Sequence, residues 1–161
     1  MTRSFLIHAA AIGLAAIAGP ASAVPAPTPP ETPAGPDFLA KNGAAKGVVT
    51  TPSGLEYFVV VSGPATGTHP KAEDTVTADY EVKLLSGEVV DSSYVAGEPL
   101  VGKAGDFVPG FTEALELMRP GDEWIVWVPP QLGYGAKDVG PIPANSVLRF
   151  KLALHSVTPA S

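Results

Sequence analysis

One acidic side chain and one tyrosine stand at positions where side chains often act on a ligand. Asp91 follows the apolar pair Val89-Val90 at the end of a predicted strand. Its carboxylate can there accept a hydrogen bond from a tyrosine hydroxyl or from Ser92 or Ser93. Tyr134 lies between two glycines in a predicted loop, where an aromatic ring is costly unless it contacts something. The two residues mark the edge of a candidate site.

Large apolar side chains accompany this pair. The aromatic members are Tyr80, Phe107, Phe111, Tyr134 and Phe150, and the aliphatic members are Val90, Leu100, Val108 and Ile142. Each one taken alone is most simply a core residue, because such side chains are usually buried. Pro141 and Pro143 stiffen the backbone around Ile142 into a rim. Together the residues predict an apolar hollow with one acid at its edge.

Several kinds of chemistry lack the residues that they need. The chain has no cysteine, which excludes disulfides, thiolate metal sites and a cysteine nucleophile. His8, His69 and His155 have no zinc-ligand spacing, and no phosphate-binding or dinucleotide-binding glycine motif occurs. The acidic pairs Glu73-Asp74 and Asp122-Glu123 lie at predicted turns and are interpreted as solvated carboxylates. We therefore expect a function without metal, cofactor or activated nucleophile.

The charge balance argues against nucleic acid as a partner. The chain carries 10 basic and 16 acidic residues, with a formal net charge of −6. Such a chain has no excess of cations with which to bind a phosphate backbone.

The first 23 residues have the pattern of a secretory signal peptide. Arg3 precedes an apolar run from Phe5 to Ala18, and the small residues Ala21-Ser22-Ala23 end it. The apolar run is shorter than the roughly 20 residues that a membrane-spanning helix needs. We predict cleavage after Ala23 and, for a bacterial source, a periplasmic or secreted mature chain.

Composition divides the rest of the chain into three parts. Residues 24–36 are rich in proline and are interpreted as a semi-rigid, disordered linker. Residues 37–50 form an N-terminal lead-in that could hold a weak helical turn or two. Residues 51–158 contain no further linker-like stretch and are predicted to form one domain.

Alternating strands are predicted on both sides of the candidate residues. Leu55 to Val61 is β-branched and aromatic, and Val76 to Leu84 alternates apolar and polar residues with Tyr80 pointing inward. Glu88 to Asp91 returns as a hairpin partner after the turn at Ser86-Gly87. Further strands are predicted at Trp124 to Val128 and Val147 to Val157.

One segment changes to a helical period. Phe111, Ala114, Leu115 and Met118 share one face of a short helix, with Arg119 in its last turn and Pro120-Gly121 as its stop. No other convincing helix follows the linker. The order of elements predicts an α+β fold, in which a curved antiparallel sheet wraps around one short amphipathic helix.

The stretch from Val76 to Val157 resembles the catalytic domain of FKBP-type peptidyl-prolyl cis-trans isomerases. The motifs that carry the resemblance, in family order and at similar spacing, are Tyr80 in the V-x-A-x-Y strand, Gly87 followed by Asp91-Ser92-Ser93, Phe107-Val108-Pro109-Gly110-Phe111 at the helix start, Leu117-Met118-x-x-Gly121, Tyr134-Gly135, Ile142-Pro143-Ala144-Asn145 and Leu148-x-Phe150. The upstream stretch from Thr51 to Tyr57 resembles the lead-in strand of the secreted bacterial branch of the family.

The resemblance implies roles for four catalytic residues. Tyr134 would reach the carbonyl group of the substrate, and Asp91 would supply the polar group at the edge of the pocket. Tyr80 and Phe150 would form its walls. These residue types imply a pocket that acts by shape and hydrogen bonding.

The resemblance also implies the residues that bind the substrate. Phe111 would be the floor of the pocket, and Phe107 and Val108 would form a ledge whose backbone can hydrogen-bond an extended peptide. Ile142 would close the rim. Val90 and Leu100 complete the lining.

The lining differs from the family pattern at several of these positions. Phe111 stands where Trp is usual, and Val90 stands where an aromatic residue is usual. Leu100 and Gly102 replace aromatic or larger apolar residues. The hollow is therefore expected to be less aromatic than its family counterparts.

The function implied is a cofactor-independent peptidyl-prolyl cis-trans isomerase that accelerates X-Pro bond rotation in exported proteins during folding. Its partners would be proline-containing polypeptides, with a macrolide as the further ligand that the family implies. One alternative is a non-catalytic chaperone that binds peptides in the same pocket, motivated by Phe111, Val90 and Leu100. Another is an accessory subunit docked through the proline-rich linker. The oligomeric state is left open.

Overall fold

The structure, a computed structural model, describes residues 35–161. The signal-peptide prediction and the linker up to residue 34 lie outside the described residues. The helices are α1 (Gly35–Gly43), α2 (Ser93–Ala96) and α3 (Pro109–Leu117), and the strands are β1 (Val48–Thr50), β2 (Glu56–Val61), β3 (Thr75–Leu84), β4 (Val89–Ser92), β5 (Leu100–Lys103), β6 (Glu123–Val128) and β7 (Leu148–Thr158). Gly35 and Pro36 begin α1, so the linker as predicted extends two residues into a helix.

The strands form one antiparallel sheet. Its order is β1-β2-β6-β7-β3-β4, and β5 also pairs with β3. The two longest strands, β3 and β7, lie side by side over their whole length, with Tyr80 opposite Leu152 and Val82 opposite Phe150. The short strands β4 and β5, which carry the predicted site residues Asp91 and Leu100, are both paired with β3.

The predicted alternation of β3 and β7 is confirmed. Val76, Ala78, Tyr80 and Val82 of β3 are buried, as are Leu148, Phe150, Leu152 and Leu154 of β7. The intervening residues are partly or fully exposed. One face of the sheet therefore supplies the core, as expected for a sheet with one solvated face.

Helix α3 packs its predicted face into this core. Phe111, Ala114, Leu115 and Met118 are all 0% exposed. Pro109 occupies the first turn, where its missing N–H is not needed by the helix. The helix ends at Leu117, so the placement of Arg119 in its last turn was wrong. Arg119 lies after the helix, and its backbone N–H donates to the Asp122 carboxylate at 2.8 Å.

Gly110 permits the close approach of α3 to the sheet. A Cβ atom at this position would lie 2.5 Å from Val128 Cγ1, well inside van der Waals contact. The glycine therefore lets the first turn of α3 rest directly on β6, which places Phe111 against the sheet.

The structure corrects the predicted number of elements. Within residues 35–161, α3 is accompanied by α1, which has nine residues, and by the four-residue helix α2. The glycine-rich segment 97–105, for which no strand was predicted, contains β5, in which Gly102 pairs with Val76. Gly102 interrupts the alternation of apolar and polar residues that would predict a strand. β5 therefore forms through its pairing with β3. The antiparallel sheet and its amphipathic helix α3 agree with the predicted α+β class.

The interpretation of Asp74 and Asp122 as solvated turn carboxylates was wrong. Asp74 and Asp122 are each only 7% exposed. Asp74 accepts hydrogen bonds from the backbone N–H groups of Lys71 and Ala160, and Asp122 accepts them from Gly63 and Arg119. The two carboxylates hold turns closed by satisfying backbone donors. Among the described helices, none is long and apolar enough to cross a membrane.

Candidate substrate-binding and active site

Phe111 lies at the centre of a cluster of four rings. Its centroid is 5.0 Å from that of Phe107, 5.3 Å from that of Phe150 and 6.2 Å from that of Tyr80. All three pairs meet edge to face, the arrangement that the ring quadrupoles favour. The four residues come from α3, β7, β3 and the segment before α3, so only the tertiary fold brings them together.

The rings are almost wholly buried. Exposure is 0% for Phe111, 1% for Tyr80, 2% for Phe150 and 3% for Phe107. Near-complete burial makes the expected floor and walls part of the packed core, where the dielectric constant is low.

Asp91 is joined to this cluster through Tyr80. The Tyr80 hydroxyl donates to Asp91 Oδ2 at 2.6 Å, and the backbone N–H of Ser92 donates to Asp91 Oδ1 at 2.8 Å. Of the three alternative donors expected for Asp91, a tyrosine hydroxyl and Ser92 are thus present, whereas the Ser93 hydroxyl bonds elsewhere. Two short charge-assisted hydrogen bonds hold the carboxylate in one orientation.

Tyr134 lies half-buried on the loop after β6. Burial, with a smaller contribution from the negative charge of Asp91, raises its pKa to about 12. The phenol therefore stays protonated at any physiological pH and can donate a hydrogen bond. The loop is tied down on both sides, because Gly135 N–H donates to the Pro130 carbonyl and Asn145 N–H donates to the Gly135 carbonyl, each at 2.8 Å.

Ile142 stands on the next turn of the same loop. It is 2% exposed and exchanges two backbone hydrogen bonds with Val139, at 2.9 and 3.0 Å. The Asp138 carboxylate accepts the Ala144 N–H at 2.7 Å and braces this turn. Ile142 therefore packs into the core cluster that contains Phe111, and it is more enclosed than a rim residue would be.

The ledge residues are buried, and part of their backbone is already used. The Val108 carbonyl accepts hydrogen bonds from the N–H groups of Phe111 and Thr112, at 2.9 and 3.1 Å. This carbonyl is therefore committed to the start of α3. The group through which Val108 could bind a peptide is its N–H.

Val90 and Leu100 are partly buried and pack against the core cluster. Leu100, the first residue of β5, lies opposite Ala78. At Gly102, a Cβ atom would lie 3.2 Å from Phe107 Cζ. The ring of Phe107 thus occupies the space that a larger residue at position 102 would need, which accounts for the small residue there.

The sequence did not single out what holds the backbone of Tyr80. Its N–H donates to Ser93 Oγ at 3.0 Å. Ser93 was expected as one of three alternative partners for Asp91, and its hydroxyl instead accepts from the Tyr80 N–H and donates to Asp79. Among residues 35–161, no group of three or more histidine, aspartate or glutamate side chains is placed to hold a metal ion.

Comparison with known protein families decides the relationship. A family model described as FKBP-type peptidyl-prolyl cis-trans isomerase matches residues 66–155. This is more than half of the chain. The chain belongs to this FKBP family. A second model, described as the domain amino terminal to FKBP-type peptidyl-prolyl isomerase, matches residues 30–59.

Two curated FKBP relatives illustrate the extent of the similarity. The outer membrane protein MIP of Legionella longbeachae is 44% identical over 125 residues, which cover 77% of this chain and 53% of the relative. The FKBP-type isomerase FkpA of Escherichia coli is 40% identical over 126 residues, which cover 78% and 46%. The chain thus spans about half the length of the curated relatives that it matches.

Solved structures agree with the FKBP assignment. The crystal structure of Escherichia coli FkpA superposes with a TM-score of 0.75 at 39% identity and covers 79% of this chain and 59% of that one. A peptidyl-prolyl cis-trans isomerase from Pseudomonas syringae superposes with a TM-score of 0.72 at 28% identity, covering 78% and 92%. The predicted family and fold are confirmed.

Proposed function

We propose that this protein is a peptidyl-prolyl cis-trans isomerase that accelerates rotation about X-Pro bonds in exported proteins as they fold. The observation that carries the proposal is the Tyr80–Asp91 hydrogen bond at the edge of the ring cluster around Phe111. It supplies one oriented polar group beside a buried apolar surface, in a chain of the FKBP family.

The apolar surface would lower the barrier to rotation. Rotation about an X-Pro bond crosses about 18–20 kcal/mol, because the planar amide has partial double-bond character. The twisted amide has lost that resonance and is less charge-separated. An apolar pocket therefore disfavours the planar ground state more than the twisted state and requires no proton transfer. Every 1.4 kcal/mol or so of such differential binding gives a tenfold rate increase.

Tyr134 and Asp91 would orient the peptide. The high pKa of Tyr134 keeps its hydroxyl available as a donor for the substrate carbonyl. Asp91 is an acceptor of fixed orientation, and the Val108 N–H would be a backbone donor to the extended peptide. Phe111 would receive the proline ring, with Tyr80, Phe107 and Phe150 around it. Val90, Leu100 and Ile142 would complete the lining.

Export is part of the proposal. It is supported by the signal-peptide pattern of residues 1–23 and by the relative named as an outer membrane protein. Folding chains outside the cytoplasm contain X-Pro bonds whose uncatalysed isomerisation takes tens of seconds, slow enough to limit folding. Such chains are the proposed substrates. A macrolide that fills the same pocket would compete with them.

NMR exchange spectroscopy on a cis/trans proline peptide tests the activity. We expect faster exchange with the purified protein, and a clear loss with Asp91→Ala and Tyr134→Phe. Asp37→Ala is the matched control, because Asp37 is exposed on α1 away from the ring cluster. Exchange at the uncatalysed rate with the folded wild-type protein would rule the proposal out.

One observation favours the alternative of a chaperone. Exposed apolar side chains lie beside and within the segment from Asp91 to Leu100: Val89 is 46% exposed, Val101 is 64% and Val95 is 83%. Exposed apolar side chains of this kind can contact unfolded chains without turnover. This alternative predicts that Asp91→Ala leaves the suppression of aggregation unchanged, whereas Val95→Ser with Val101→Ser reduces it. Loss of suppression in Asp91→Ala would count against it.

A further inference from the structure

A second chain of hydrogen bonds runs along the outer side of the sheet behind Tyr80. The Tyr80 N–H donates to Ser93 Oγ at 3.0 Å, and Ser93 Oγ donates to Asp79 Oδ1 at 2.7 Å. The other oxygen, Asp79 Oδ2, lies 2.8 Å from His155 Nε2. A carboxylate in this position only accepts, so His155 donates from Nε2. The chain links β7, β3 and the first residue of α2.

This hydrogen-bond chain meets the site at Tyr80. Tyr80 provides the hydroxyl that binds Asp91, and Ser93 follows Asp91 by two residues. The Tyr80–Asp91 pair is thus held on the inner side through its side chains and on the outer side through Ser93. The ladder between β3 and β4 is short, with a register irregularity at Val82 and Lys83. The hydrogen bond from the Tyr80 N–H to Ser93 Oγ adds a further link between β3 and the segment that carries Asp91.

The residue types match this role. Asp79 lies in the middle of a ten-residue strand, where aspartate has low propensity. Burial works against its ionised form, but the hydrogen bonds from Ser93 and His155 and the charge of His155 outweigh it and lower the pKa of Asp79. Ser93 is 3% exposed, so its hydroxyl needs the partners that Asp79 and Tyr80 supply.

We propose that Ser93 and Asp79 are positioning residues for the isomerase site, with His155 as the outer end of the chain. This inference rests on the proposed function. The three residues act through Tyr80 and Asp91 and do not touch the substrate. Their effect is to fix the distance between the carboxylate of Asp91 and the ring cluster around Phe111.

Isomerase kinetics and NMR of the Tyr80 ring in the full mature chain test the proposal together. Ser93→Ala and Asp79→Asn should each lower kcat/KM by about three- to tenfold, the effect of one lost orienting hydrogen bond. They should also shift the 13Cζ resonance of Tyr80, which reports on its hydroxyl. Glu81→Gln is the matched control: Glu81 lies on the same strand face and pairs with Lys83 at 2.7 Å, without reaching Ser93. It should change neither quantity.

The outcomes separate the two claims. Folded Ser93→Ala and Asp79→Asn variants with wild-type kinetics and an unmoved Tyr80 resonance would overturn the positioning role. His155→Gln, whose side chain is 50% exposed, provides a milder variant should Ser93→Ala fail to fold. His155→Gln should shift the Tyr80 13Cζ resonance in the same direction. An unmoved resonance would count against the hydrogen-bond chain. Absence of isomerase activity in the wild type would remove the proposed function. The Tyr80 resonance would still decide whether the hydrogen-bond chain positions the Tyr80–Asp91 pair.

Discussion

Replacing Tyr80 by phenylalanine removes one hydroxyl group and keeps the ring. The residue is 1% exposed, and its hydroxyl donates to Asp91 Oδ2 at 2.6 Å. A hydrogen bond to a charged group contributes about 1.5–3 kcal/mol, while the edge-to-face contact with Phe111 is preserved in the variant. We therefore expect Tyr80→Phe to lower the free energy of unfolding by about 2 kcal/mol. Its isomerase rate should also fall, because Asp91 loses one of its constraints.

Urea unfolding measures the first effect. With an m-value of about 2 kcal/mol/M, a loss of about 2 kcal/mol moves the midpoint down by about 1 M. Tyr94→Phe is the matched control, since Tyr94 is 50% exposed, and it should stay within about 0.5 kcal/mol of the wild type. A Tyr80→Phe variant that unfolds at the wild-type urea concentration would refute the reasoning, as would an equal loss in Tyr94→Phe.

Three further changes probe the packing and the electrostatics of the site. Phe111→Ala empties the centre of the ring cluster and should cost about 3–5 kcal/mol in urea unfolding, against a smaller cost for Phe58→Ala, where Phe58 is 37% exposed; equal costs would contradict this. Gly110→Ala places a methyl group 2.5 Å from Val128 Cγ1 and should cost about 1–3 kcal/mol, part of which Val128→Ala should restore; no restoration would show that the cost has another origin. The pKa of Tyr134 is raised from 10.0 to about 12, so its proton stabilises the folded state fully below pH 10, and this contribution is lost as the pH rises through 12. The ultraviolet difference titration between the wild type and Tyr134→Phe should place this ionisation near pH 12, and a transition near pH 10 would contradict the burial argument.

Much of the fold was readable because its signals are local. The alternation along β3 and the spacing of Phe111, Ala114, Leu115 and Met118 each depend on the geometry of a single element, in which period 2 or 3.6 decides which side chains share a face. The elements with no such pattern were missed or, for α1, expected only as a weak helical turn or two. β5 contains Gly102 and forms through its pairing with β3, and α1 buries no residue at all.

The candidate site divides in the same way. The residue types of Asp91, Tyr80 and Tyr134 pointed to hydrogen bonding beside an apolar hollow, and the structure places Asp91 on the Tyr80 hydroxyl. Of the three alternative donors expected for Asp91, a tyrosine hydroxyl and Ser92, through its backbone N–H, bind it, whereas the Ser93 hydroxyl donates to Asp79. Which of several nearby donors a carboxylate meets depends on the backbone geometry of the folded chain, and residue type alone does not determine it.

The amino-acid sequence by itself determined the class of fold, the family resemblance and the residue types of the site, because hydrophobic periodicity and short motifs act within single elements. Only the tertiary structure decided that the four rings meet around Phe111, that Asp74 and Asp122 are buried, and that His155, Asp79 and Ser93 form a chain behind Tyr80. The physical reason is that these contacts join residues far apart in the chain, and strand register and the close approach of α3 at Gly110 set their distances.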